Sequence, residues 1–112
     1  MKIVNPAQVE VINKIHQVKT GVVYDTPHAF VVHITLEAGE RLKRHVTPVD
    51  VFFYILEGEP TIEIGQEKQR VAADHLVESP ANILHCIYNE TDCRARILVV
   101  KAPKPTTETK IL

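Results

Sequence analysis

From about Ala29 onward the chain alternates. Phe30, Val32, Ile34 and Leu36 interleave with Val31, His33, Thr35 and Glu37, the period of two that marks a strand with one buried face. By that parity His33 lies opposite the apolar set and is expected at the surface or at a contact between subunits. Val51-Phe52-Phe53-Tyr54-Ile55-Leu56 is apolar on both faces and stops at Glu57-Gly58-Glu59. It reads as a strand covered twice, once by the core and once by a second subunit. A hairpin over 61–64 and 69–72 turns around Gly65-Gln66, and short strands follow at 76–78, 84–88 and 94–100. Before residue 29 the signal is mixed. Asn5-Pro6 suits the cap of a short helical turn, whereas Val9, Val11, Ile12 and Ile15 combine strand and helix periods. After residue 100, Lys101-Ala102-Pro103-Lys104-Pro105 loses the alternation and reads as an extended or mobile tail.

Eight or more short strands with little or no helix predict an all-β sandwich or barrel. The expected organisation is an N-terminal turn and strands over 1–28, a barrel core over 29–100 and the tail over 101–112. At 112 residues this is one domain, large enough to fold without disulfide staples.

Charge narrows the partners. Thirteen Lys and Arg against 14 Asp and Glu give a net charge of −1, which leaves no basic excess to neutralise a phosphate backbone, so nucleic acid is not an expected partner. No apolar run has the length of a membrane span, and the first residues lack a cationic-then-apolar leader. A cytoplasmic, soluble domain is expected. Cys86 and Cys93 are too few and too widely spaced for a metal knuckle, and in a hairpin closed by 89–92 they lie diagonal to each other, so both are expected as free thiols.

Two segments then resemble the signature motifs of the cupin superfamily. The first motif is Gly, five residues, His, one residue, His, three or four residues, Glu, six residues, Gly; here Gly39, His45, Thr47, Val51 and Gly58 stand in that register. The second is Gly, five residues, Pro, one residue, Gly, two residues, His, three residues, Asn; here Asp74, Pro80, Asn82, His85 and Asn89 do. Asp and Asn tolerate positive φ best after Gly, so Asp74 and Asn82 are expected to preserve the turns. The resemblance spans Ala29 to Val100 and implies a double-stranded β-helix, the jelly-roll barrel, and a homodimer paired through exposed sheets.

It also implies a site. In cupins the two His and the Glu of the first motif, with the His of the second, converge on one transition metal, and such donors suit iron, manganese, nickel, zinc or copper. Carried over, His45 and His85 remain, whereas Thr47 replaces a His and Val51 replaces the Glu. The expected pocket is therefore His45, Thr47, Val51 and His85, with His45 and His85 as weak ligands for any divalent metal. Asp50 would join them only if a bulge after Pro48 turned it inward. The expected function is a small-molecule-binding barrel with a degenerate metal site and no assigned cofactor beyond a divalent transition metal as candidate. The alternative is a metal-dependent oxygenase or isomerase of a small organic acid or sugar. A third option is metal-free chemistry using His45 or His85 as a base beside Tyr54 or Tyr88.

Lys43-Arg44 are expected as solvated loop cations that could also draw a carboxylate to the barrel mouth. His16, His28 and His75 are expected in solvent, and Cys86 as a small buried or interface thiol pointing away from His85.

Overall fold

The computed structural model describes residues 1–12, 18–107 and 110–111. Ile15 and His16 lie outside the described residues. One 3-10 turn, Pro6–Gln8, precedes the strands, with Asn5 Oδ1 accepting from the Ala7 amide at 3.0 Å and Pro6 at its start. Ten strands follow: β1 (Lys19–Thr26), β2 (Ala29–Leu36), β3 (His45–Val46), β4 (Val51–Glu57), β5 (Thr61–Ile64), β6 (Glu67–Arg70), β7 (Leu76–Ser79), β8 (Leu84–Tyr88), β9 (Ala95–Lys101) and β10 (Lys110–Ile111).

They form two antiparallel five-stranded sheets, ordered β1-β2-β9-β4-β7 and β10-β3-β8-β5-β6. This is the all-β jelly roll, and the inner faces close on Leu36, Leu42, Phe53, Ile55, Ile87 and Ile97, each at most 2% exposed. Because cross-strand partners share a face, register places whole rows inside the barrel. Val32, Val99, Phe53 and Val77 make one row. Phe30, Lys101, Val51 and Ser79 make the next.

The turns explain how the motif glycines could change. Asp74 and Asn82 adopt φ of 64° and 65°, the left-handed region that a short polar side chain enters most readily after Gly. Gly58, at φ 80°, is less replaceable, because a Cβ there would overlap the Arg94 carbonyl.

Several sequence expectations are corrected. The second arm of the hairpin is Glu67–Arg70, not 69–72: Gly65, at φ 59°, closes a two-residue loop, and the exposed polar arm carries no apolar alternation to reveal it. His33 is 3% exposed rather than a surface residue. Its cross-strand neighbour Gly21 lies under Val9 of the preceding segment, and Arg96 Nε donates to His33 Nε2 at 3.1 Å, so the outer face is covered within the chain. Lys101 is the last residue of β9, and Lys110–Ile111 pair with β3. Among the outer residues of β4, Phe52, Tyr54 and Leu56 are half-buried in the single chain. Both thiols are free, Cys86 fully buried and Cys93 exposed. His28 and His75 are exposed.

His33 makes a testable pH statement. Burial first, then the charges of Arg96 and Lys19, hold its pKa below the ordinary 6.5, with Glu57 opposing. The unfolded chain therefore takes up more proton than the folded one below pH 6.5, and this contribution to stability is fully present above that pH. It is lost as pH falls from 6.5 through the folded value, with a slope of at most about 1.4 kcal/mol per pH unit. Thermal denaturation between pH 7.5 and 5 should show the decline, and His33→Gln should flatten it.

Candidate functional site

Strand pairing builds the site. In β3 and β8, His45 and His85 are direct antiparallel partners, which brings both imidazoles inside one end of the barrel. Their ring centroids are 4.3 Å apart and the rings cross at 74°. The two Nε2 atoms are 2.9 Å apart, and Thr47 Oγ1 lies 3.2 Å from His85 Nε2. From the opposite sheet, Ser79 Oγ reaches His85 Nδ1 at 2.7 Å, and the Phe53 ring stands edge-on to His85 with centroids 5.3 Å apart. All four polar residues are at most 6% exposed.

The backbone sets the protons. His45 Nδ1 lies 2.7 Å from the Lys43 carbonyl, which only accepts, so Nδ1 carries the hydrogen and the neutral ring offers a lone pair at Nε2. His85 then donates from Nε2 and, as a neutral ring, accepts at Nδ1 from the Ser79 hydroxyl. A polarised chain runs from Ser79 through His85 and His45 to the Lys43 carbonyl. Burial lowers the His45 pKa below 6.5; the bond to the Lys43 carbonyl opposes that shift, and the charge of Lys101 adds to it.

Beside the pair is a cavity of about 260 Å³ lined by apolar side chains that include Val22, Phe30, Val32, Leu42, Phe53 and Val99. Three polar residues line it: Thr20, whose hydroxyl donates to the Val18 carbonyl at 3.2 Å, and, from opposite sheets, His45 and Lys101. Lys101 is the cross-strand partner of Val51, so a lysine on the inner face neighbours the position that carries the carboxylate in the cupin motif, and its ammonium lies on the Phe30 side. Desolvation lowers its pKa from the ordinary 10.5.

The structure brings His45, Thr47 and His85 together and buries Val51 at 4% exposed in the row facing them. Asp50 does not join them. It is exposed, and its Oδ1 accepts from the Ala81 amide at 2.9 Å, pinning the turn that leads into β8 rather than bulging inward. The tyrosines are also elsewhere. Tyr54 donates to Asp74 on the outer face, and Tyr88 lies between Arg41 and Lys68, with each cation 5.0 Å from the ring centroid. Arg44 turns outward to Glu63 at 3.1 Å. Cys86 Sγ faces the Leu42 carbonyl and Arg41, not the imidazoles, and burial raises its pKa. Asn89 serves the fold, its amide donating to the Leu36 and Cys93 carbonyls.

Ser79 and Lys101 were not legible as site residues. Ser79 precedes the motif residue Pro80, its only signal, and Lys101 stood where alternation ends.

A resident transition metal does not fit this donor set. Two imidazoles and one neutral hydroxyl supply no negative charge, and an ammonium shares the cavity, so a divalent cation would be both under-coordinated and repelled. Among the described residues no group of three or more His, Cys, Asp or Glu could hold a metal ion.

The comparisons agree with the architecture. A family model described as the Cupin domain matches residues 32–101. Uncharacterized protein MJ0764 of Methanocaldococcus jannaschii is 32% identical over 82 residues, 72% of this chain and 71% of the relative. TT1209 from Thermus thermophilus superposes with a TM-score of 0.82 at 28% identity over 94% of this chain and 100% of that one. The polyketide cyclase RemF from Streptomyces resistomycificus shares the fold at TM-score 0.85 and 14% identity, over 100% of this chain and 85% of that one. With both motifs in register, both sheets in jelly-roll order and the matched segment covering most of the barrel, the chain belongs to the cupin family.

Proposed function

We propose that this cupin is a metal-independent small-molecule-binding barrel in which His45 lines the cavity, with Thr47, His85 and Val51 packed behind it as the rest of the pocket wall. The observation that carries this reading is the exchange of charge in the barrel interior. Val51 and Lys101 are cross-strand partners beside an imidazole pair already hydrogen-bonded to Ser79, Thr47 and the Lys43 carbonyl. The adjoining cavity is lined mostly by apolar side chains with few polar groups, the composition of a ligand pocket.

The reading extends to a homodimer in the cytoplasm. The outer face of the first sheet carries Val31, Val100 and Phe52 in one row, ending at Glu78, and Leu98, Tyr54 and Leu76 in the next, beside His33, a largely apolar surface suited to a second copy. A reducing compartment suits one exposed and one buried free thiol.

One preparation tests both parts. Protein purified without added metal should contain well under one equivalent of any transition metal and should sediment at twice the chain mass. Stoichiometric metal that disappears in both His45→Ala and His85→Ala would replace this reading with a metal-dependent oxygenase or isomerase, and a monomer would remove the dimer.

A further inference from the structure

We infer that the cavity selects small monocarboxylates with an apolar body, and that Lys101 is the residue that anchors the carboxylate. The inference rests on the small-molecule-binding reading above and names the ligand class of that same site.

Lys101 extends from the end of β9 onto the inner face, between Phe30 on β2 and Val51 on β4. Its ammonium lies 5.8 Å from the Phe30 ring centroid and shares the cavity wall with His45. Neighbouring Lys104 shows the usual arrangement for a cation here: its Nζ also faces the Phe30 ring, at 5.2 Å, but pairs with Asp25 Oδ1 at 2.7 Å. Among the described residues no carboxylate lies within ion-pair distance of Lys101. A partly buried cation facing apolar walls, with no carboxylate partner among the described residues, disfavours the empty pocket and favours an anionic occupant.

The remaining walls define the rest of that ligand. Val22, Phe30, Val32, Ile34, Leu42 and Val99 offer only hydrocarbon, and the Thr20 hydroxyl is already committed to the Val18 carbonyl at 3.2 Å, so the part beyond the carboxylate meets a mostly apolar wall. A volume of about 260 Å³ holds roughly ten non-hydrogen atoms at protein-like packing density. A phenyl or short alkyl acid fits; a sugar, which needs many hydrogen-bond partners, does not. His45 adds a second polar contact on the far wall, with its neutral tautomer set by the Lys43 carbonyl.

The test compares benzoate with benzamide, which has nearly the same shape but no charge, by calorimetry and by methyl NMR of Val32, Ile34 and Val99. The unsubstituted chain should bind benzoate about tenfold to a hundredfold more tightly than benzamide at pH 7. In Lys101→Met that preference should collapse, while benzamide affinity stays within about twofold. The variant should melt no lower than the parent because it removes a buried charge; a lower melting temperature would reveal a stabilising partner for Lys101 and overturn the inference. Equal binding of the two probes, or a preference that survives Lys101→Met, would also overturn it while leaving the binding barrel in place. If neither probe moves the cavity methyls, the binding reading itself fails.

Discussion

Val51→Glu combined with Thr47→His should turn the barrel interior into a metal centre, with Zn²⁺ affinity rising by about three orders of magnitude over the unsubstituted chain. The geometry supports both halves of the change. Thr47 Oγ1 is already 3.2 Å from His85 Nε2, so an imidazole at that position would face the existing pair. Val51 is buried beside Ser79, which touches the other nitrogen of His85, so a carboxylate there would face the same space and supply the missing negative charge. Lys101 would compete by pairing with that carboxylate across the strand. Adding Lys101→Met should therefore raise metal affinity further. Competition against a chromophoric chelator measures each step. No gain from the double substitution would mean that these two side chains do not share a space with the imidazoles, and the account of the incomplete ligand set would fall.

Phe53→Ala should cost about 3–5 kcal/mol of stability, a Tm lower by on the order of 15 °C for a domain of this size. Phe53 is 1% exposed, sits in the inner row with Val99 and Val77, and presses its edge on the His85 ring. Removing it leaves a void between the sheets and frees the imidazole that links Ser79 to His45. Denaturant unfolding gives the energy. A loss below about 1 kcal/mol would show that the two sheets collapse onto the vacated space.

The legible parts of this protein are those in which the physical cause is local. Alternation from Phe30 to Leu36 requires a strand, because adjacent side chains on extended backbone point to opposite faces. Asp74 and Asn82 stand in for glycine because each residue's own φ is the constraint. Where an expectation needed a partner from elsewhere, parity was insufficient. His33 has the parity of an outward residue, yet Val9 and Arg96 cover it from other segments. Asp50 has a carboxylate in the right neighbourhood, but the Ala81 amide claims it across a turn.

Residue order alone was enough to specify β2, β4, β5, β7, β8 and β9 and the positive-φ turns at Asp74 and Asn82, and the motif resemblance added the family and the loss of the motif's Glu at Val51. It did not specify what fills the space that Glu would have occupied. That depended on two sheets folding face to face, which brings Ser79 from β7 to His85 on β8 and sets Lys101 of β9 beside Val51 of β4. These groups are separated by up to half the chain, and only the register of non-local strand pairs makes them neighbours.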